Sequence, residues 1–386
     1  MGNAPVVIVG AGLAGYTLVR ELRKLAPDLP ITLVTADSGD VYSKPMLSNA
    51  LAQGHSPRGL VQSTAAEQAG KLGIRLIPHC RVRAINRVAK RLETHTGPLP
   101  YRRLVLATGA RPRTPDFPGA NAALSVNHLD DYARFRARLT PGARVCILGA
   151  GLVGCEFAND LIASGHRVTL VEAGPQLLGR LLPAPLAERL RNALTGLGVQ
   201  CRFGSGVDRI TETAVGWTVQ LSDGEWIPAD VVLSAIGLVP ETELAREAGL
   251  SVKRGIVVDA LLATDDPDIH ALGDVAEVCG LSLPYVLPLM QQARALAATL
   301  SGTPTPLVLP ALPVVVKTPA CPLVACPPSA DAPGAWIQER DDAAGAIYHY
   351  VGADGGLLGF ALAGDACGSR RQLAARVPAL LSGGAC

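Results

Sequence analysis

Residues 6–15 read Val-Val-Ile-Val-Gly-Ala-Gly-Leu-Ala-Gly, and this stretch decides the fold. Val6 to Val9 form the short, continuous apolar run of a strand buried on both faces, as in a parallel sheet. Gly10, Gly12 and Gly15 then hold the spacing G-x-G-x-x-G, and a helix-compatible run from Tyr16 to Leu25 follows. Strand, glycine turn and helix together are the context in which this spacing reads as a dinucleotide fingerprint. The first glycine makes the tight turn, the second lets a pyrophosphate approach the backbone, and the third lets helix pack on strand. The helix N-terminus presents free N–H groups and partial positive charge to the phosphates.

The pattern returns at residues 145–156, Val-Cys-Ile-Leu-Gly-Ala-Gly-Leu-Val-Gly-Cys-Glu, with Gly149, Gly151 and Gly154 at the same spacing. The next strand, Arg167 to Val171, ends in Glu172, where an acid reads a ribose 2′-hydroxyl. No Arg follows at once to accept a 2′-phosphate, so this site is expected to select NADH over NADPH. In the first copy the strand Ile31 to Val34 is followed by Thr35, and the acid, Asp37, comes two residues late. Either residue is a candidate for the first ribose.

The bulk properties bound the rest. A chain of 386 residues with 48% hydrophobic content can bury two or three domains. A net charge of +2 argues against nucleic acid as a partner. No stretch reaches the roughly 18 apolar residues of a membrane span. The N-terminal residues lead straight into the first strand with no basic n-region or cleavage site, so no signal peptide is expected. Nine irregularly spaced Cys give neither a disulfide framework nor a zinc pattern, so no metal site is expected. These features predict a soluble cytoplasmic protein with reduced thiols. A monomer or weak dimer is expected.

Between the fingerprints lies Tyr42-Ser43-Lys44-Pro45-Met46-Leu47-Ser48. Pro45 is expected to stop the preceding segment and Ser48 to cap a helix. Lys44 is one of six lysines in an Arg-rich chain and therefore a candidate for a specific role. Leu76-Ile77, Val82 to Ile85 and Leu104 to Ala110 are predicted strands, and Arg111 to Pro115 is predicted to break regular structure at a domain boundary. Arg202 to Ile227 reads as antiparallel strands with a turn at Ser222-Asp223-Gly224. Val231 to Gly237 is a buried strand ending at Gly237, a further candidate for the second nucleotide site. A short strand, Ile269 to Leu272, ends in Gly273-Asp274, and Pro288 suits the first turn of a helix reaching about Leu300. Residues after about 306 are predicted to form a small third domain, with a hairpin over Ala346 to Leu362 and a final helix over Gln372 to Leu381.

In this order the two glycine motifs, Ala107-Thr108-Gly109, Gly255 to Asp259 and Gly273-Asp274 resemble the two-dinucleotide flavoprotein oxidoreductases from end to end. Tyr42 to Ser48 and Val316-Lys317-Thr318-Pro319-Ala320-Cys321-Pro322 resemble one branch, the rubredoxin–NAD reductases. The resemblance implies an α/β fold with two Rossmann-like dinucleotide-binding domains plus a small α+β C-terminal domain. FAD would bind residues 1–112 and 246–306, NADH residues 113–245, and residues 307–386 would form the C-terminal domain. It places Gly10, Ala11, Gly12, Leu13 and Ala14 at the FAD pyrophosphate, Thr35 and Ala36 near the ribose, and Val82 near the adenine. Asp274 would meet the ribityl chain and the backbone near Val286 the pyrimidine end. Lys44 and Glu156 correspond to a lysine–glutamate pair beside flavin N5, and Lys317 to a flavin contact from the third domain. The implied activity passes electrons from NADH through FAD, one at a time, to rubredoxin, a small acidic iron–sulfur protein. Rival readings are a ferredoxin reductase of an oxygenase system and an NADH-responsive sensor with little turnover. A disulfide reductase would need a relay pair. Cys321 and Cys326 have the spacing, but such pairs follow the first fingerprint, and residues 42–53 contain no Cys.

Overall fold

The computed structural model describes residues 4–329 and 331–384. The fingerprint strand Val6–Val9 is the middle of a five-stranded parallel sheet in the order Ile269–Ala271, Arg103–Leu106, Val6–Val9, Ile31–Val34, Arg75–Ile77. All four residues of Val6–Val9 are buried, as expected of a central strand covered on both faces. The second fingerprint strand, Arg144–Leu148, takes the same interior place in a parallel sheet ordered Gln200–Phe203, Arg167–Glu172, Arg144–Leu148, Val231–Ser234.

The two halves repeat element by element. Each runs strand, helix, strand, helix, strand, then a three-stranded antiparallel meander, then a strand returning beside the first. The meanders are Val82–Asn86, Arg91–Thr94, Leu99–Pro100 and Val207–Thr213, Gly216–Leu221, Trp226–Ala229. One difference matters below. Between Ile31–Val34 and the helix Ala65–Leu72 the first half carries an insertion with a small ribbon, Val41–Tyr42 on Val61–Ser63, and a 3₁₀ turn, Lys44–Met46.

One core cluster draws on the stretch from Val6 to Ala107 and again on Ala245 to Leu309. A second joins residues flanking Arg144–Leu148 to the C-terminal sheet. That sheet is antiparallel, in the order Val314–Val316, Leu323–Cys326, Leu357–Gly364, Gly345–Gly352, Gly334–Asp341. It contains the predicted hairpin. Alternation along its strands sends Leu323, Ala325, Ala361 and Ala363 to the second cluster, and Val324, Cys326, Phe360 and Leu362 to a separate one under the helix Arg370–Ala374.

Three expectations are corrected. Arg111-Pro112 does not interrupt regular structure, because Ala110–Pro112 pairs antiparallel with Leu238–Pro240. The chain leaves the first half and returns to it along this ribbon, and a two-stranded ribbon tolerates a proline at its edge. Gln200–Phe203 belongs to the parallel sheet, so the antiparallel meander begins only at Val207. The predicted helix over Gln372 to Leu381 is instead Arg370–Ala374, and Leu381–Ser382 is a strand paired with Val308–Leu309. Pro378 disfavours helical geometry at Val377 and ends the helix.

Candidate functional site: two helix N-termini and a buried carboxylate

The two glycine turns are built alike. The helices Leu13–Leu25 and Leu152–Ala163 have N-cap glycines, Gly12 and Gly151, at φ −73°, ψ −172° and φ −73°, ψ −170°. Gly10 N–H donates to Val34 O and Gly149 N–H to Val171 O, both at 2.8 Å. Gly10 and Gly149 have φ of +114° and +96°, a region that disfavours other residues. A Cβ on Gly10 would run into the Ala107 carbonyl, and one on Gly149 into that of Ala235. A Cβ on Gly15 or Gly154 would strike the carbonyl of Gly10 or Gly149. Gly12 and Gly151 face open space. Each turn is thus closed behind and open in front, where a pyrophosphate would meet the first N–H groups of the helix. The residues present fit dinucleotides at both places.

Thr35 is buried, and its Oγ1 donates to Asp37 Oδ1 at 2.6 Å, as Gly39 N–H does at 3.0 Å. Ala36 and Asp37 are exposed. His79 N–H donates to Asp37 O and Cys80 N–H to Thr35 O, which lays the segment entering Val82 beside this turn. Gly273, at φ +81°, packs against the start of the fingerprint helix, where an added Cβ would come within 2.9 Å of Ala14 Cβ. Its N–H donates to buried Gln292 Oε1 at 2.7 Å, which ties Asp274 to the helix Val286–Leu300. Pro288 lies in the first turn of that helix, as expected, and Val286 and Leu287 at its N-terminus are exposed.

Lys44 is not the partner of Glu156. Burial pulls the Lys44 ammonium below the usual lysine range, and the nearby Asp274 and Asp131 carboxylates oppose that pull. Burial in turn pushes the Asp274 carboxyl up, and Lys44 opposes it. Among the described residues Glu156 pairs with Lys317 instead, Nζ to Oε2 at 2.8 Å, and accepts from Lys317 N–H through Oε1 at 3.1 Å. The Glu156 side chain is 2% exposed and that of Lys317 33%. Ser48 Oγ also donates to Glu156 Oε2, at 2.5 Å. The Lys317 ammonium donates further to Ser48 Oγ at 3.2 Å and to Pro45 O, so protein acceptors meet all three of its donors. The reason lies in chain geometry. Lys44, in the 3₁₀ turn, interacts electrostatically with Asp274, while Lys317, just past the strand Val314–Val316, meets Glu156 of the second fingerprint helix. Ser48 caps no helix, and its hydroxyl serves Glu156.

At the second site Glu172 is already engaged. Its Oε2 accepts from Ala150 N–H at 2.8 Å and its Oε1 from Gly174 N–H at 2.9 Å, so the carboxylate lies against the glycine turn. Gly237, at φ +105°, turns the chain from Val231–Ser234 into the connecting ribbon.

The family model described as pyridine nucleotide-disulphide oxidoreductase matches residues 4–297. The chain belongs to this family. The model for a rubredoxin binding C-terminal domain matches residues 306–377 of this pyridine nucleotide-disulphide oxidoreductase. The chain is 44% identical over 381 residues to the rubredoxin-NAD(+) reductase of Alcanivorax borkumensis, covering 98% of this chain and 99% of that one. It is 42% identical to the corresponding reductase of Acinetobacter baylyi, with 98% of each chain covered. Among solved structures, the ferredoxin reductase for the CYP199A2 system of Rhodopseudomonas palustris has a TM-score of 0.89 at 29% identity, covering 97% of this chain and 96% of that one. Two Rossmann-like domains and a C-terminal domain are thus the architecture of this family member. No helix among the described residues is long and apolar enough to cross a membrane.

Proposed function

We propose that this chain is an NADH-dependent flavoprotein reductase that passes electrons through FAD, one at a time, to rubredoxin. The observation that carries the reading is the pair of glycine turns, both open toward a pyrophosphate, joined to a C-terminal domain that matches a rubredoxin-binding model. FAD would occupy residues 1–112 and 246–306, NADH residues 113–245, and the acceptor would meet residues 307–386. The reading includes a cytoplasmic protein, monomeric or weakly dimeric.

Bound FAD supplies the link between a two-electron hydride donor and a one-electron acceptor. The chain supplies position and field. Gly10 to Ala14 hold one pyrophosphate, and Gly149, Gly151 and Gly154 the other. Thr35, Ala36 and Val82 border the adenosine end, and Lys44 with Asp274 the ribityl and phosphate stretch. The N-terminus of Val286–Leu300 offers its partial positive charge at the pyrimidine side, which favours negative charge there. Lys317, its donors engaged by protein, would offer the flavin a fixed positive charge. Steady-state NADH oxidation with rubredoxin, against ferredoxin and against no acceptor, tests the reading. Rubredoxin should give the highest kcat/KM. Preference for ferredoxin would move the chain to oxygenase service, and negligible turnover with either would make it a sensor.

The exit route carries its own prediction. Cys321 and Cys326 are buried and belong to different core clusters on opposite sides of the C-terminal sheet. Burial pushes the Cys326 thiol up to about 11 and raises that of Cys321, the reverse of what a reactive thiol needs. Replacing both by Ser should leave rubredoxin reduction within a few-fold of wild type. If turnover collapses while flavin reduction stays fast, the thiols carry the electrons.

A further inference from the structure

We propose that Ser48 is the positioning residue of the Glu156–Lys317 pair, and that it acts through the helix Leu152–Ala163. The proposal rests on the reading that this pair stands beside the flavin. Ser48 is 5% exposed and sits between the two charges, donating to Glu156 Oε2 at 2.5 Å and accepting from Lys317 Nζ at 3.2 Å. Its one proton goes to the carboxylate, because the competing acceptor, Pro45 O, lies at 3.5 Å. A hydroxyl that donates to one partner and accepts from the other has a determined rotor, so it holds both groups in a single arrangement.

The support beneath it is equally specific. Asp160, one helical turn beyond Glu156, is buried and accepts from Leu51 N–H at 3.0 Å and Ala52 N–H at 2.8 Å. Asn159 Oδ1 accepts from Ala320 N–H at 3.1 Å. Residues i, i+3 and i+4 share one helical face. That face therefore grips the segment carrying Ser48 and the segment carrying Lys317 at once, and the N-terminus of the same helix is the second fingerprint. Partners that lock a charged group in place raise its effectiveness without touching the reacting atoms.

The test compares Ser48→Ala, Ser48→Thr and Asp160→Ala in the holoprotein. Losing a hydrogen bond to a charged group should slow NADH-dependent flavin reduction about tenfold in Ser48→Ala. FAD content and the apparent affinity for NADH should stay within threefold of wild type. The midpoint potential of the bound flavin should fall, because a loosened Lys317 stabilises added negative charge less. Ser48→Thr should restore both rate and potential, and Asp160→Ala, which keeps the hydroxyl but frees its turn, should reproduce part of the loss. Unchanged rate and potential in Ser48→Ala would overturn the proposal, as would a loss that tracks FAD content and is not rescued by Thr. If Lys317→Met and Glu156→Gln also leave rate and potential unchanged, the placement of the pair beside the flavin falls instead.

Discussion

Lys317→Met should destabilise the protein by about 3 kcal/mol, and it should slow flavin reduction more than a change at Ser48 or Glu156. The expectation follows from the asymmetry of the pair. Glu156 is almost wholly buried, so losing its counter-charge leaves a carboxylate with two hydrogen bonds and no cation. Lys317 is itself a third exposed and partly screened, which keeps the cost at the lower end of that for breaking a buried pair. Glu156→Gln should cost less, about 1 kcal/mol, since water can solvate the freed ammonium. The double variant should therefore be markedly more stable than the sum of the singles. Thermal melts of the apoprotein check this without the cofactor, and stopped-flow reduction checks it with FAD bound. A parallel cycle decides between the lysines. Lys44→Met should add simply with Glu156→Gln and couple with Asp274→Asn, the acid it faces. Coupling of Lys44 to Glu156, with additivity for Lys317, would reverse the assignment.

The second large effect concerns coenzyme choice. The wild type should prefer NADH, and Glu172→Ala should lose roughly ten- to a hundredfold of that preference, the worth of a hydrogen bond to a charged group. Glu172 holds both oxygens against the backbone N–H groups of Ala150 and Gly174. On the proposed ribose assignment, this fixed negative charge would meet a 2′-phosphate, and its oxygens would accept from ribose hydroxyls. Removing the side chain deletes the repulsion and frees two N–H groups that a phosphate oxygen can use. Glu172→Gln, which keeps an acceptor without the charge, should fall between. The ratio of kcat/KM for NADH and NADPH measures all three. Equal use of both coenzymes by the wild type would remove the ribose assignment.

What was legible in the sequence was what is local. Strand, G-x-G-x-x-G and helix occupy adjacent residues, so Val6–Val9 with Gly10 to Gly15 and Arg144–Leu148 with Gly149 to Gly154 could be read without knowing what surrounds them. The position of Glu172 at a strand end was legible for the same reason, since the strand Arg167–Glu172 directly follows its fingerprint helix. The hairpin over Ala346 to Leu362 was set by alternation and the Gly355-Gly356 turn, whose first glycine has φ +80°. The final helix was misread because an apolar run of moderate length suits helix or strand, and the partner strand Val308–Leu309 decided between them.

Only the tertiary structure decided which lysine faces Glu156. Lys44 had the better local argument, a rare lysine in a distinctive loop. Lys317 lies 161 residues from Glu156, and a strand of another sheet carries it there. An ion pair between segments so far apart has no periodicity or spacing to announce it, because its geometry is the outcome of packing three units together. The same holds for Ser48, which sequence read as a helix cap because Ser before a turn commonly is one. Its true partner lies 108 residues away. The chain encodes its two glycine turns locally, since each is built from adjacent residues. The charged cluster of Ser48, Glu156 and Lys317 is assembled from side chains of distant segments, and the fold alone brings them together.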